Sequence, residues 1–356
     1  MAKSGVSGYA AISARVRAMY AALLAPQDLE HLGETVDFAA LAGQLKNTAY
    51  GPYLESLKDK DITPRQVIHQ LKAKLASAYT SIIQMAPEHT RPLLRQLYRY
   101  YEMDNLKAVL RAVVGRSAWE RVRVLLFPFG EMTVLPAEAM VNAGSVGAAV
   151  ELLRGTRYEQ VLSFAMRRYS AEQNLFPIEV ALDLDYWRGL WQETRRLTGQ
   201  DHDQAMRVVG SLIDMNNLMW VIRYRVYHHL SEEELINYTL PFGYHMRDED
   251  VRAIAAGADA ASVVQRIYPD IPDLTALLAE PHTGLPKLEL QLKRRVMNQC
   301  LSSFVGNPFH IGVPLAFLVL SDLEIQDLTV LIEAKSMQMS PDHYRPFLLR
   351  TIALRA

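Results

Sequence analysis

Glu102-Met103-Asp104-Asn105-Leu106-Lys107 recurs twice further along the chain, as Asp214-Met215-Asn216-Asn217-Leu218-Met219 and as Glu324-Ile325-Gln326-Asp327-Leu328-Thr329. The opening acids, at positions 102, 214 and 324, are almost evenly spaced. An acid, an apolar residue, Asn or Asp three positions after the acid and then Leu, repeated so evenly, mark one helical unit used three times. The candidate site residues are therefore Glu102, Asn105 and Leu106, then Asp214, Asn217 and Leu218, then Glu324, Asp327 and Leu328. The domain boundaries expected from this frame are 1–114, 115–226 and 227–356.

The flanks follow the same register. Leu126-Phe127-Pro128-Phe129-Gly130 trails the first phrase, and Leu240-Pro241-Phe242-Gly243 trails the second at nearly the same offset. Leu182-Asp183-Leu184-Asp185-Tyr186-Trp187-Arg188 and Leu288-Glu289-Leu290-Gln291-Leu292-Lys293-Arg294 precede the second and third phrases, each expected to open a leading helix. The third copy stops soon after its phrase, so on sequence alone the frame stays open.

Composition sets the class. A chain of 356 residues, half of them hydrophobic, has enough apolar side chains for a large core. A net charge of −1 argues against a polyanion-binding surface, so no nucleic-acid partner is expected. Cys300 is the lone cysteine, which excludes an internal disulfide and a cysteine-rich zinc site. Arg15 and Arg17 interrupt the only apolar stretch near the amino terminus, so no secretory leader is expected. The longest apolar run, Ile311 to Leu320, is about half of the roughly 20 residues a bilayer span needs, and Pro314 lies within it. A soluble chain without a transmembrane segment is the expectation.

Helices dominate the expected secondary structure. Apolar residues at Leu94, Leu97, Tyr101, Ala108 and Leu110, and at Leu212, Met215, Leu218, Ile222 and Val226, keep a three-to-four spacing. Thr63-Pro64 and Ser340-Pro341 place a hydroxyl cap before a helix-starting proline. Ser231-Glu232-Glu233-Glu234 and Ser170-Ala171-Glu172-Gln173 fit the capping box, and Asp248-Glu249-Asp250 supplies acids for a helix amino terminus. More than a dozen short helices joined by short loops are expected.

Within the phrase, the acid and the Asn lie one turn apart on one helical face beside an apolar stripe. Buried there, they need partners, and loop or helix ends and Arg or Tyr side chains of a neighbouring helix are the candidates. An inter-helix hydrogen-bond clamp fits better than catalysis, since three like sites share no base or nucleophile. Arg111 and Arg223 follow the acid by nine residues, where the third copy has Glu333. Reaction motifs are absent: no phosphate loop, no Gly-x-Gly-x-x-Gly, no His-Glu-x-x-His, no Gly-x-Ser-x-Gly. Gly144-Ser145-Val146-Gly147 reads as a helix-to-helix turn. Adjacent His228 and His229 diverge by about 100 degrees on a helix and do not chelate one metal. Glu88-His89 and Asp201-His202-Asp203 read as solvated loop or cap residues. No catalytic, cofactor or metal residue is assigned.

With Arg223-Tyr224-Arg225 after the second phrase, Lys335 after the third, Tyr9-Ala10-Ala11-Ile12-Ser13-Ala14-Arg15-Val16-Arg17-Ala18-Met19 near the start and Thr48-Ala49-Tyr50, the chain resembles the C subunit of the V/A-type rotary ATPases, the relative of the eukaryotic V-type d subunit. The resemblance spans essentially the whole chain; Asp327 and Glu333 are its departures. It implies an all-α funnel of three similar helical domains about a pseudo-threefold axis. It implies a non-catalytic central-stalk socket, without cofactor and in single copy. Such a part sits peripherally on the cytoplasmic face of the cell membrane, between the proteolipid ring and the central shaft of the D and F subunits. Torque transmission in ATP synthesis or ATP-driven ion pumping would be its role. A helical-repeat adaptor binding other partners is the alternative, although such solenoids repeat every 34 to 47 residues or so.

Overall fold

A computed structural model describes residues 6–57, 62–228 and 230–350. The protein is all-α: 73% of it is helical, and no strand occurs among the described residues.

The helices fall into three runs of similar order. After α1 (Val6–Ala21) come α2 (Pro26–Gly33), α3 (Phe38–Leu45), α4 (Gly51–Leu54), α5 (Pro64–Met85) and α6 (Arg91–Val114). The second run holds α7 (Trp119–Val122), α8 (Ala137–Val141), α9 (Val146–Glu151), α10 (Glu159–Glu172), α11 (Phe176–Arg196) and α12 (Gly199–Arg223). The third holds α13 (Glu232–Asn237), α14 (Asp248–Ala255), α15 (Ala260–Ile267), α16 (Leu274–Ala279), α17 (Pro281–Ser302) and α18 (Gly312–Ser336), followed by α19 (Pro341–Tyr344). Each run ends in a pair of long helices, α5–α6, α11–α12 and α17–α18, of 21 to 25 residues apiece. The expectation of short helices holds only for the elements before these pairs. Leu182 and Leu288 lie six or seven residues inside their helices rather than at the start, because apolar spacing extends upstream to Phe176 and Leu285.

Local chemistry explains the boundaries. Thr63 caps α5 and Ser231 caps α13, each in a reciprocal pair with Gln66 or Glu234. Asp37, Ser145 and Asp259 cap α3, α9 and α15, the second short helix of each pair that the phrase acids will be seen to hold. Ser170 corrects the sequence expectation. It lies in the last turn of α10 with its hydroxyl on the Met166 carbonyl, and Gln173 beyond it adopts a left-handed backbone. A cap signature cannot act once the preceding helix has already claimed those amides. Ser340 holds the cap position of α19, but its oxygen faces His343 Nδ1 at 2.6 Å instead of a backbone amide. Both α6 and α18 end in a left-handed residue, Arg116 and Gln338, with Ser117 bonded back to Ala112 and Met339 back to Ala334, both at 2.9 Å. In α12 the chain instead widens into a π-turn, Tyr224–His228.

Two compact units divide the chain. One combines Met1–Val16, Pro87–Leu93 and Trp187–Leu320. Its core packs Leu218, Ile222, Val251, Val264, Leu288 and Leu292 against one another. The apolar run from Ile311 to Leu320 is buried throughout and opens α18, with Pro314 tolerated in the first turn. The other unit combines Arg17–Ala86, Leu94–Tyr186 and Ser321–Ala356. Aromatic rings dominate its interior: Tyr98 stacks on Tyr79 and Phe129, and Tyr101 stacks on Phe127 at 4.0 Å between ring centres. No helix among the described residues is long and apolar enough to cross a membrane.

Candidate functional site

All nine phrase residues are buried, on α6, α12 and α18. Leu106, Leu218 and Leu328 point into apolar cores, while the polar pairs each hold a loop.

The residue three positions after the acid grips a peptide 22 or 23 residues downstream. Asn105 Nδ2 donates to the Phe127 carbonyl at 2.8 Å, and its Oδ1 accepts the Phe127 N–H at 2.7 Å. Asn217 repeats this with Leu240, at 3.0 and 2.9 Å, and also donates to the Phe242 carbonyl at 3.1 Å. Phe127 and Leu240 are the residues before Pro128 and Pro241, whose nitrogens carry no proton. The peptide therefore offers one N–H and one C=O, which a carboxamide matches atom for atom. At the third copy Leu349 is followed by Arg350, and both N–H groups point to Asp327, at 2.6 and 3.1 Å. Two donors call for two acceptor oxygens, and a carboxylate provides them. Burial pushes the Asp327 carboxyl up to about 6, against the opposing pull of those two N–H bonds and of Arg350.

The acids each bind the start of a short-helix pair and a tyrosine that follows it. Glu102 accepts the Val134 N–H at 2.6 Å and the Tyr158 hydroxyl at 2.9 Å. Glu324 accepts the Leu24 N–H and the Tyr50 hydroxyl, both at 2.7 Å, and an Arg350 guanidinium N–H at 3.0 Å. Asp214 is one methylene shorter, and the loop comes to it: Tyr244, His245 and Met246 donate their N–H groups at 2.7, 2.7 and 3.2 Å. Gly243 makes this approach possible, since a Cβ there would lie 2.1 Å from Asp214 Oδ1. The Tyr268 hydroxyl stays 3.5 Å from Asp214, at the limit of bonding range. Burial raises the Asp214 carboxyl above the usual range, opposed by the three N–H donors.

Tyr50 belongs to the Thr48-Ala49-Tyr50 stretch that carries the resemblance, but the pairing of these tyrosines and amides with the acids is not read from the sequence; their spacing carries the signal. Leu24, Val134 and Tyr244 follow one another at nearly the interval of the acids, and Tyr50, Tyr158 and Tyr268 do the same. Thr48 and Thr156 prepare the first two tyrosines identically. Each hydroxyl donates to a carbonyl three residues back and accepts the N–H of Tyr50 or Tyr158 at 3.2 Å.

At a second meeting point Asp201 departs from the expectation of solvated residues, while Glu88, His89 and Asp203 are exposed as expected. Asp201 is buried; its Oδ2 lies 2.9 Å from His89 Nε2 and its Oδ1 accepts the Ile311 N–H at 2.9 Å. The two segments read as separate surface features meet because each stands at the head of a long helix, beside the buried His310 whose Nδ1 accepts the Gly312 N–H at 3.1 Å. Burial lowers the His310 pKa. The His228 and His229 side chains lie outside the described residues. Gly144 to Gly147 forms the turn between α8 and α9.

Outside the phrase residues, Arg111 forks onto Glu179 of α11 at 2.6 and 2.9 Å, and Arg223 reaches Glu289 of α17 at 2.5 Å. A cleft of about 330 Å³ is lined by Met215, His245, Tyr268, Asp270, Arg295 and Gln299, among others. Arg295 is already bonded to Asp270 and lies over the Tyr268 ring, 4.6 Å from its centre. Among the described residues no three His, Cys, Asp or Glu side chains are grouped to hold a metal ion. What the arrangement does chemically is hold loops against long helices.

The model of the ATP synthase (C/AC39) subunit family matches residues 12–347 of the chain. The chain is similar to the A-type ATP synthase C subunit of Methanocaldococcus jannaschii, 26% identical over 346 residues, covering 96% of this chain and 86% of that protein. The same-named protein of Methanothermobacter thermautotrophicus is 28% identical over 340 residues, 91% of this chain and 83% of its own. That of Methanococcoides burtonii is 21% identical over 341 residues, 95% and 93% of the two chains.

Proposed function

Because the chain belongs to the ATP synthase (C/AC39) subunit family, we propose that it is the non-catalytic socket of a V/A-type rotary ATPase. In this reading it sits peripherally at the cytoplasmic face of the membrane, in single copy. It joins the proteolipid ring to the central shaft of the D and F subunits, and transmits torque during ATP synthesis or ATP-driven ion transport.

The observation that carries the reading is the order of the clamps. The acid of α6 binds residues 134 and 158, the acid of α12 binds residues 244 to 246, and the acid of α18 binds residues 24 and 50. Each of the phrase helices α6 and α12 thus holds the short-helix pair of the next run, and α18 holds that of the first. A chain bonded to itself in this cyclic order suits three similar helical domains in a funnel about a pseudo-threefold axis. The contact of His89, Asp201 and Ile311 supports the same arrangement. They are separated by 112 and 110 residues, the intervals of the phrase, and corresponding residues of rotationally related copies meet only beside the axis. The boundaries at 114 and 226 fall at or near the ends of α6 and α12. Buried, hydrogen-bonded polar groups at the loops that the phrase residues grip favour the rigidity that a torque-bearing part needs.

Reconstitution tests the proposal. Membranes carrying the rest of the complex, with and without the purified chain, are assayed for ATP hydrolysis and for ion movement. Hydrolysis is expected to persist without the chain while ion movement is lost. Pumping that survives its omission, or ATP hydrolysis by the chain alone, sinks the socket reading.

A further inference from the structure

The three acid clamps differ in how their two sides are tied together. Residues 134 and 158 follow Glu102 by 32 and 56 positions, and residues 244 to 246 follow Asp214 by 30 to 32. The two sides of the third clamp, Leu24 with Tyr50 and Glu324, are 300 and 274 residues apart. When either of the first two clamps opens, a short chain keeps its halves close, whereas the third has only the rest of the fold to bring its halves back.

The third joint is also built differently. Arg350 ties it twice, from one guanidinium nitrogen to Glu324 and to the Leu24 carbonyl, each at 3.0 Å. Lys335 Nζ donates to the Thr35 carbonyl at 2.7 Å, and the Tyr344 hydroxyl donates to the Gly33 carbonyl at 2.9 Å. It therefore buries two carboxylates, Glu324 and Asp327, one turn apart on one face of α18, where the other clamps pair an acid with a neutral Asn. Two carboxylates buried one turn apart, met by Arg350 and Lys74, must all lose their water when the joint closes, and such a site costs more to keep closed than one built on an amide.

We propose that the joint between residues 24–50 and the α18–Arg350 segment is a release joint, the place where the protein opens first and recloses. Asp327 sets how readily it opens. The groups facing the carboxylate pair are Arg350 from the carboxy-terminal segment, Tyr50 from the amino-terminal segment, and Lys74 of α5, whose Nζ stands 4.0 Å from the centre of the Tyr50 ring. Burial lowers the Lys74 pKa and raises those of Tyr50 and Asp327. Asp327 holds its proton more tightly when the joint is closed, so acid favours closure. As pH falls from about 6 towards 4, opening declines, by on the order of a hundredfold at most. For a part fitted around a rotating shaft, such a joint is where the fit is made and undone; that consequence rests on the socket reading, while the joint itself does not.

Hydrogen exchange of the isolated full-length chain, followed by mass spectrometry, tests it. At pH 7.5, peptides spanning 26–54 and 341–350 are expected to exchange together, at least about tenfold faster than those spanning 137–158 and 248–268. After correction for intrinsic rates, the gap should narrow at pH 5.5. Equal protection of the three regions overturns the proposal, as does a gap that ignores pH. Simple fraying of the amino-terminal segment overturns it too, and shows as exchange of 26–54 with 341–350 still protected. Glu324→Gln should raise exchange in both peptides and leave 137–158 unchanged; the parent protein's comparison stands even where that variant fails to fold. Because ion movement plays no part in the measurement, the joint and the socket reading fail separately.

Discussion

At α6, Asn105 gives one hydrogen bond and takes one; at α18, Asp327 takes two and gives none. The helices agree to within one residue in length and in the position of the acid, so the difference lies in what each side chain faces. Before Pro128 only a single N–H is on offer, together with the carbonyl of the same residue. At Leu349 and Arg350 there are two N–H groups. Asn and Asp differ by one heavy atom and look interchangeable in a motif, yet each fits its own backbone and not the other's. The departure at 327 is thus matched locally by Arg350, which stands where the other two copies have proline and brings a second N–H.

The largest effect should come from comparing the two Pro-Phe-Gly glycines. Gly243 has Asp214 Oδ1 where a Cβ would go, and that oxygen is held by the Tyr244 and Met246 amides. Gly243→Ala should cost about 3 kcal/mol or more. Gly130 has a left-handed φ of 71° and nothing within 4 Å of the Cβ position, so Gly130→Ala should cost only about 1–2 kcal/mol of backbone strain. Urea unfolding of both variants checks the order. Equal losses would mean that the Asp214 loop can back away.

Exchanging the clamp residues sharpens the comparison directly. Asn105→Asp puts a carboxylate against the Phe127 carbonyl and removes its donor, a loss of about 2–3 kcal/mol at neutral pH. Asp327→Asn loses one acceptor but also removes a buried charge, so it should stay within about 1 kcal/mol of the parent there. Acid separates them further. The native Asp327 carboxyl, pushed up to about 6, binds its proton more tightly than the unfolded chain does, so the parent gains stability as pH falls from about 6 towards 4. Asp327→Asn should lack that gain, and thermal unfolding at pH 7 and pH 5 reads it. A variant that keeps the parent's pH response moves the titration to another group.

Much of this was legible in the chain. The phrase interval picks out the polar pairs on α6, α12 and α18, and Thr63 marks the start of α5; the length of the paired helices is not written in caps, since α12 and α17 begin without a side-chain cap bond. What stayed hidden was pairing across the sequence. Tyr50, Tyr158 and Tyr268 keep nearly the same interval as the acids, and residues 45–50 and 153–158 share Leu, a basic residue, Thr and Tyr, but residues 263–268 break that pattern and nothing local ties the tyrosines to Glu324, Glu102 and Asp214. His89 is a surface residue, and Asp201 reads as one because an Asp beside a His is an ordinary solvated pair. Their separation of 112 residues was the clue. The third frame looked open for the same reason: its missing half, Leu24 to Tyr50, stands at the other end of the chain. Ser170 misled because a cap signature says nothing about whether a helix is already running.

The tyrosine hydroxyls give a smaller contrast. Tyr50 and Tyr158 donate to their acids at 2.7 and 2.9 Å, so Tyr50→Phe and Tyr158→Phe should each cost about 1.5 kcal/mol, the usual worth of a hydrogen bond to a charged group. Tyr268 stands 3.5 Å from Asp214, which already has three amide donors, and Tyr268→Phe should cost under about 0.5 kcal/mol. If Tyr268→Phe were the most damaging of the three, the amides would not be what holds Asp214.

The smallest effects are expected at the arginines nine residues after the acid. Arg111 meets Glu179 and Arg223 meets Glu289, glutamates one repeat interval apart on α11 and α17, so each pair ties a motif helix to the leading long helix of the next run. Geometry alone makes Arg111 look stronger, with a two-pronged contact at 2.6 and 2.9 Å. Its side chain is 59% exposed, however, against 40% for Arg223. Water and salt screen an open pair, and ordering a long side chain offsets part of the attraction. Arg111→Ala should therefore cost at most about 0.5 kcal/mol. Arg223 shares Glu289 with Lys293, which lies 3.0 Å from the other carboxylate oxygen and can keep that charge paired when the arginine is removed. Arg223→Ala should accordingly cost no more, despite its deeper position. Unfolding in about 0.05 M and about 0.5 M salt checks both: the Arg111 loss should shrink towards zero at the higher salt, and a salt-independent loss above about 1 kcal/mol would make the stem's packing, not its charge, the source of the effect.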